Sequence, residues 1–287
     1  MADHRWALAA SEEGVEHDDD LPLLISAGTD AGAQVEVVRW DDPDVDWDRY
    51  ELVVVRSCWD YTWRVEEFLR WAEGVPRLHN PVGVLRWNAD KTYLRDAAAS
   101  GCPVVPTVWD PSSADELPEA AELVVKPSVS AGSRDTARWA RRTDALEHAG
   151  ALRAAGRTAM VQPYLDAVDV AGETALVHLG GAFSHAVQKG PLLLPGEGVR
   201  QDRAGREELQ PVTARPDQLE VAAAALAAVP AALGGQPLLY ARVDVVDGPD
   251  GTPLLLELEL VEPSLFLPYA DGGAVRFVDA ARAAARG

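Results

Sequence analysis

Cysteine and positive charge are both scarce in this chain. The cysteines are Cys58 and Cys102 only, so there is no disulfide framework and no metal-type cysteine spacing. Lysine and arginine number 26 against 46 acidic residues, a net charge of −20 that argues against a nucleic-acid or anionic-membrane partner. No apolar run is long enough to span a bilayer, and no basic-then-apolar signal region opens the chain. We therefore expect a soluble cytoplasmic protein.

The N-terminal part predicts an α/β fold. With 287 residues and 47% apolar content, the chain is long enough for one large or two to three small globular domains. Over roughly residues 1–80, apolar strands alternate with helices, which indicates a layered α/β domain. The predicted strands are Trp6–Ala10, Val35–Trp40 and Leu52–Arg56, and the predicted helices are Leu21–Ala33 and Arg64–Glu73.

The remaining chain predicts two α+β lobes. Asn88 is predicted to open a helix that ends near Ser100, which places Lys91 in its first turn. Residues 190–210 combine glycine, proline and many charges, and we expect a mobile loop there. The other predicted elements are strands at 104–108, 123–126 and 160–164, a hairpin over 174–188 and an alanine-rich helix over 217–229.

Residues 240–259 predict a β-hairpin that carries charge on one face. If Val246 pairs with Pro253, alternation places Asp244 on the same face as Glu257 and Glu259, with Arg242 beside them. Carboxylate oxygens suit Mg²⁺ that carries nucleotide phosphates. Acidic residues also alternate with apolar ones on strands that merely face water, and the hairpin alone leaves both interpretations open.

Several upstream features fit a phosphate site. A lysine in a first helical turn, Lys91, favours anions, and Lys126 ends an apolar strand from which its ammonium requires an anionic partner. The loop SVSAGS that follows, from Ser128 to Ser133, has small side chains that allow its backbone to lie close over phosphate oxygens. The segment VQPYL, which ends at Leu165, is a strand that ends in a bend and offers backbone groups to an adenine edge. Each feature alone also has an ordinary structural interpretation.

In this order along the chain, the features resemble the ATP-grasp superfamily over roughly residues 80–270. The resemblance implies ATP and Mg²⁺ as cofactors, an N-terminal pre-ATP-grasp α/β domain (1–86), a small lobe with a phosphate lid (87–165) and a C-terminal lobe with the metal site (166–287). It implies nucleotide contacts from Lys91, Lys126, Ser130, Gly132, Ser133, Gln162, Pro163, Tyr164, Leu165 and Asp169, and metal ligands Asp244, Glu257 and Glu259. Many members have Glu-x-Asn where this chain has Glu257 and Glu259, and Glu262 is a further candidate ligand.

Four stretches are similar to a bacterial subgroup of these ligases that includes a D-cycloserine-forming cyclo-ligase. They are RSCWDY (56–61), WNADKTYL (87–94), FSHAVQK (183–189) and ELELVEPSLF (257–266). The resemblance implies an ADP-forming carboxylate–nitrogen ligase with an acyl-phosphate intermediate, which acts on a small amino-acid derivative and forms D-cycloserine from O-ureido-D-serine as one candidate reaction. The implied catalytic residues are Arg242 and Arg200, and Lys189 is a further substrate candidate. Ser57, Trp59 and Asp60 follow the strand that ends at Arg56, and because open α/β sheets bind ligands at the C-terminal ends of their strands, we expect these residues to contact the substrate. Packing in the core is an equally ordinary role for Trp59.

Other activities stay open at this point. A dipeptide-type amino-acid ligase or a small-molecule kinase would use the same scaffold, and a nucleotide-binding regulatory protein without turnover is a third alternative. The full set of lysines, carboxylates and Arg242 argues against the regulatory protein. By analogy with similar ligases, a homodimer is expected.

Overall fold

The N-terminal layer is a parallel sheet. The computed structural model describes residues 4–201, 208–231, 233 and 238–286. The first elements are β1 (Arg5–Ala10), α1 (Glu12–His17), α2 (Leu21–Asp30), β2 (Gln34–Arg39), β3 (Leu52–Val55), α3 (Val65–Gly74), β4 (Leu78–His79) and α4 (Val82–Asn88). The strands form a four-stranded sheet in the order β2-β1-β3-β4. Every residue of β3 is buried, as expected for a central strand covered on both faces.

The second sheet is antiparallel and is covered by one helix. Its part of the chain comprises α5 (Tyr93–Ala99), β5 (Val108–Trp109), β6 (Leu123–Pro127), β7 (Ala137–Trp139), α6 (Arg142–Ala154) and β8 (Ala159–Pro163). The strand order is β5-β8-β6-β7. Helix α6 buries Ala145, Ala149 and Leu152 against Val125 and Val161 of the sheet.

The third sheet is antiparallel and has five strands. The elements are α7 (Ala167–Ala171), β9 (Glu173–Leu179), β10 (Ala182–Lys189), β11 (Leu209–Val212), α8 (Pro216–Ala227), β12 (Tyr240–Asp247), β13 (Pro253–Glu259) and α9 (Gly273–Ala284). The strand order is β11-β10-β9-β12-β13. One apolar cluster joins Leu8 and Val54 of the first sheet to Val177 of the third and to Phe277 of α9, so the first and third sheets share a core.

Short 3₁₀ turns occur at Trp47–Arg49, Trp59–Trp63, Ala114–Glu116 and Leu267–Tyr269. No helix among the described residues is long and apolar enough to cross a membrane.

The prediction for Asn88 was wrong. Asn88 ends α4 instead of opening a helix, and Lys91 lies in the break before α5. The amide of Asn88 is buried and binds the backbone of the third sheet: Nδ2 donates to the Leu258 carbonyl (2.8 Å), and Oδ1 accepts from Leu260 N (2.7 Å). An asparagine that hydrogen-bonds to the backbone of a distant strand cannot be told from a helix-capping asparagine by sequence alone, because both roles favour this residue.

The hairpin is present, but its register differs from the prediction. Val246 pairs with Leu254 instead of Pro253, which by simple alternation would set Asp244 opposite Leu256. A bulge between Asp244 and Val245 changes the register, and Asp244 lies opposite Glu257. The predicted shared face therefore exists because of an irregularity.

Other differences are smaller. The predicted strand at 104–108 is reduced to an isolated bridge at Val104 and the two-residue β5. Sequence patterning did not predict β7, α6 or α9. Within the predicted loop of 190–210, residues 202–207 lie outside the described part, and β11 begins at Leu209.

Candidate active site

A cavity of about 810 Å³ lies where the three sheets meet. The charged face of the β12–β13 hairpin lines it together with β6, the end of β8, the 128–133 loop and the segment after β1. Of the predicted site residues, those on its wall are Trp59, Lys91, Lys126, Ser130, Gly132, Ser133, Gln162, Pro163, Tyr164, Leu165, Lys189, Arg242, Glu257 and Glu259. The fold thus brings together most of the predicted site from segments far apart in sequence.

Asp244 holds two cations at the base of this site. It is 1% exposed and is not among the residues that line the cavity. Its carboxylate accepts from Arg242 Nε (2.9 Å) and Nη2 (3.0 Å) and from Lys189 Nζ (2.7 Å). Burial would raise the pKa of Asp244, but Arg242 and Lys189 outweigh it and hold the pKa below its usual range. Asp244 is therefore ionised and fixes the positions of both cations.

The carboxylates on the cavity wall outnumber their cations. Glu257 lies 3.0 Å from Lys91 Nζ, and Glu259 pairs with Arg242. Burial raises the pKa of Glu259 to about 7 despite Arg242, with Glu257 and Asp244 adding to the rise. Glu257 and Glu259 are crowded carboxylates, and a further cation bound between them would stabilise their ionised forms.

Glu262 adds to this crowding. It lines the same cavity, and burial together with the nearby Glu259 raises its pKa to about 8. Hard oxygen donors in excess are the ligand chemistry of Mg²⁺, so the residues present fit that ion. Within the described ranges, however, no three His, Cys, Asp or Glu side chains are already grouped to hold a metal. The predicted trio of Asp244, Glu257 and Glu259 is thus not preassembled, because cationic side chains lie between its members.

The two predicted phosphate lysines have different surroundings. Lys91 is 7% exposed, and its Nζ donates to the Ser130 carbonyl (2.7 Å) and pairs with Glu257, which keeps its pKa above the usual value despite burial. Lys126 is 8% exposed, and none of the described residues gives its ammonium a hydrogen bond or a close ion pair. Burial lowers the pKa of Lys126. An ammonium on a cavity wall that has no hydrogen-bond or close ion-pair partner is a binding group for an anion.

Two residues of the 128–133 loop have a left-handed backbone conformation. Gly132 and Ser133 have φ values of 61° and 59°, and the conformation of Gly132 is one that glycine adopts without strain. Lys91 holds the loop through Ser130, and Arg134 stacks 4.3 Å from the ring centroid of Trp63 in the N-terminal layer. Contacts of the loop with Lys91, and of the next residue with the N-terminal layer, therefore fix its position.

The predicted adenine segment lies on the cavity wall, but Asp169 does not. Asp169 accepts from Tyr164 Oη (2.6 Å) and from Arg138 Nη1 (3.0 Å), and Arg138 stacks on the Tyr164 ring at 3.5 Å. These contacts fix Tyr164 and occupy the carboxylate. The placement gives Asp169 a supporting role and does not favour direct contact with a ribose.

Three other predicted residues lie off the cavity. Arg200 pairs with Glu197 at 2.8 Å, and Asp60 accepts from Trp40 Nε1 (2.8 Å) and Arg64 (3.1 Å). Ser57 is 1% exposed, and its carbonyl accepts from Ser11. None of the three lines the cavity, so the structure does not support contact between these side chains and a substrate.

Sequence reasoning missed a buried clamp that shapes the far end of the cavity. Asp20 accepts from Leu265 N (2.6 Å) and Leu267 N (2.7 Å), and Arg56 donates to Asp20 (3.3 Å) and to the Pro263 carbonyl (3.0 Å). The clamp thereby ties the loop after β13 to the N-terminal layer. Its only signal in the sequence is a charged residue, Arg56, directly after a buried strand.

Solved ATP-grasp ligases share this fold. The ATP-grasp ligase PsnB complexed with minimal precursor aligns with a TM-score of 0.65 over 98% of this chain and 99% of its own, at 15% identity. D-alanine–D-alanine ligase from Bacillus anthracis aligns with a TM-score of 0.64 over 98% and 97%, also at 15% identity. These likenesses confirm the predicted fold class, and the fold is that of the ATP-grasp enzymes.

Relatives of higher sequence identity show the family within this fold class. The cycloserine biosynthesis protein DcsG of Streptomyces lavendulae is 41% identical over 290 residues, which cover 96% of each chain. The crystal structure of D-cycloserine synthetase DcsG aligns with a TM-score of 0.88 at 40% identity, over 98% of this chain and 99% of its own. Residues 6–80 match the family described as D-cycloserine synthetase DcsG, N-terminal domain. The chain belongs to the DcsG family of ATP-grasp ligases, and the predicted resemblance is confirmed.

Proposed function

We propose that this enzyme uses ATP and Mg²⁺ to activate the carboxylate of a small amino-acid derivative as an acyl phosphate, which a nitrogen of the same molecule then attacks. The candidate reaction is closure of O-ureido-D-serine to D-cycloserine, a step of antibiotic biosynthesis. The observation that carries the proposal is the ammonium of Lys126, which has no hydrogen-bond or close ion-pair partner among the described residues, in the same cavity as the crowded carboxylates Glu257, Glu259 and Glu262. The similarity to DcsG supports the choice of substrate.

ATP is proposed to lie between the second and third sheets. Lys91 and Lys126 bind its phosphates, and the backbone of Gln162 to Leu165 meets the adenine. Ser130, Gly132 and Ser133 cover the phosphates and exclude water, which would otherwise hydrolyse the acyl phosphate. This arrangement keeps the proposed division into an N-terminal domain (1–86) and two lobes (87–165 and 166–287).

Glu257 and Glu259 are proposed to hold Mg²⁺, because both line the cavity. When bound, the ion neutralises phosphate charge and orients the γ-phosphoryl group. The carboxylate of Asp244 could bind a metal ion only if its hydrogen bond with Arg242 or Lys189 were broken. We therefore propose that its main role is to position those two cations.

Arg242 and Lys189 act on the reacting group. Both line the cavity and are held by Asp244. They are placed to neutralise the substrate carboxylate, the transferring phosphoryl group and the oxyanion that forms when nitrogen attacks the acyl carbon. In that step the C–N bond forms and phosphate leaves with the carboxylate oxygen. For O-ureido-D-serine, the carbamoyl group is lost by hydrolysis as carbon dioxide and ammonia.

The test is incubation of the purified protein with ATP, Mg²⁺ and O-ureido-D-serine, with mass spectrometry of the products. The proposal predicts D-cycloserine, ADP and phosphate in equal amounts. A stable phosphorylated substrate would identify the alternative kinase, and a product with a second amino acid would identify a dipeptide-type ligase. Absence of ADP formation with every amino-acid derivative would contradict the proposed function. The expected homodimer and cytoplasmic location stay predictions.

A further inference from the structure

The lysines and arginine that line the cavity are all on one side of it. The lysine and arginine side chains that line it within the described ranges come from the part of the chain beyond residue 86, and they are Lys91, Lys126, Lys189 and Arg242. The N-terminal layer contributes an acidic wall instead. Its carboxylate and imidazole residues are Glu13, Glu16, His17, Asp18, Asp19 and Asp20. A ligand that spans this cavity meets cations paired with carboxylates at one end, and at the other an acidic wall to which the described residues contribute no lysine or arginine.

The acidic wall is held rigidly. Ser11 caps α1 and donates through both its N and Oγ to the Ser57 carbonyl (3.0 Å each). A Cβ on Gly14 would lie 2.1 Å from that same carbonyl oxygen, so only glycine permits this close approach of α1 to the end of β3. Asp18 N then donates to the Gly14 carbonyl (3.1 Å) at the end of the helix. The position of Asp18 is thus set by the backbone of two elements.

The carboxylate of Asp18 has one oxygen without a donor. Asp18 is 8% exposed and lines the cavity. Its Oδ1 accepts from Asp20 N (2.9 Å), whereas its Oδ2 has no hydrogen-bond partner among the described residues. The cation nearest to Oδ2 is Arg56 Nη2 at 3.9 Å, and that nitrogen donates to Asp20 and to the Pro263 carbonyl. A buried carboxylate oxygen without a donor is costly, and a ligand that supplies one removes the cost.

We propose that Asp18 Oδ2 accepts a hydrogen bond from the ammonium group of the substrate. The inference rests on the proposed function, in which the substrate carboxylate meets Arg242 and Lys189. An ammonium at the acidic wall and a carboxylate at the cationic end together select a zwitterionic amino acid over a hydroxy acid or an amide. Asp18 is therefore the residue that specifies the substrate class.

Asp18→Asn tests the assignment, because it removes the charge and keeps an oxygen for Asp20 N. The matched control is Glu12→Gln, the same charge change in the same helix α1 at a side chain that is 79% exposed and does not line the cavity. With O-ureido-D-serine as substrate, Asp18→Asn should raise the KM about tenfold to a hundredfold and leave the KM for ATP unchanged. Glu12→Gln should change neither value by more than about twofold.

A second experiment changes the ligand and compares the wild-type enzyme with Asp18→Asn. The wild-type enzyme should bind the analogue with hydrogen in place of the α-amino group at least tenfold more weakly than O-ureido-D-serine, and Asp18→Asn should not weaken the analogue further. Equal affinity for both compounds, or a loss in the variant that is the same for both, would overturn the assignment. Calorimetric binding of O-ureido-D-serine in the absence of ATP gives these comparisons without turnover, so the site is tested even if the proposed reaction fails.

Discussion

Replacement of Lys126 by methionine should stabilise the free enzyme and weaken its binding of ATP. Burial lowers the pKa of Lys126, which means that the folded protein accommodates this ammonium at a cost. A methionine of similar length removes that cost, and we expect a gain on the order of 1 kcal/mol, or a rise of about 2–4 °C in melting temperature. The opposite effect on ATP follows because a charge-assisted contact with phosphate contributes about 1.5–3 kcal/mol.

The loss can be expressed as a thermal shift. At an ATP concentration of about 100 times the wild-type Kd, ATP should stabilise the wild type by about 2.7 kcal/mol. If Lys126→Met weakens binding about 30-fold, the same concentration stabilises the variant by only about 0.9 kcal/mol. Differential scanning fluorimetry with and without Mg²⁺-ATP measures both quantities on one sample.

Lys189→Met is the matched control. Lys189 is as buried as Lys126, but it pairs with Asp244 (2.7 Å) and Glu173 (2.8 Å). Its removal leaves buried carboxylates short of a cation and should destabilise the free enzyme by about 3–5 kcal/mol. Destabilisation of the same size in Lys126→Met, or an undiminished shift with ATP, would refute the reasoning on Lys126.

Three further outcomes are expected. Glu257→Gln keeps an oxygen near Lys91 but removes a proposed Mg²⁺ ligand and the charged partner of Lys91, so ADP formation should fall at least about a hundredfold and the melting temperature of the apoprotein should also fall. Asp20→Asn sets an amide N–H against the amides of Leu265 and Leu267, so chemical denaturation should show a loss of about 2–4 kcal/mol and the KM for the amino-acid substrate should rise. Burial raises the pKa of Glu259 from 4.5 to about 7, so its protonated form stabilises the folded apoprotein. This contribution is complete below about pH 4.5 and is lost as the pH rises through 7; the Mg²⁺-induced thermal shift should therefore grow over that range.

Controls separate these outcomes from general damage to the fold. Full ADP formation by Glu257→Gln would remove Glu257 from the metal site. An unchanged KM in Asp20→Asn would show that the loop after β13 does not depend on the clamp. A Mg²⁺ shift independent of pH would contradict the account of Glu259.

The sequence was informative where chemistry and periodicity agree. Alternation around Arg242 predicted both strands of the hairpin, and the apolar run before Lys126 predicted a buried strand with an ammonium on it. The order of lysines, small loop and carboxylates was specific enough to indicate the family. Local patterns of this kind survive folding because each is satisfied within one element.

Tertiary contacts decided the rest. Nothing local shows that Asn88 serves the backbone of β13, or that a bulge restores the face shared by Asp244 and Glu257. Arg200 was predicted as a catalytic residue, yet the fold gives it Glu197 as a partner. The acidic run that contains Asp18 is indistinguishable from a solvated turn until the fold places it on the cavity wall.

The central claim is that a substrate carboxylate is activated as an acyl phosphate. The most direct measurement uses O-ureido-D-serine with both carboxylate oxygens replaced by ¹⁸O, followed by ³¹P NMR of the phosphate released with ATP and Mg²⁺. Transfer through an acyl phosphate predicts one ¹⁸O atom in each phosphate released, and one labelled phosphate for each ADP formed. Unlabelled phosphate would show that water, and not the carboxylate, received the phosphoryl group, and it would contradict the account.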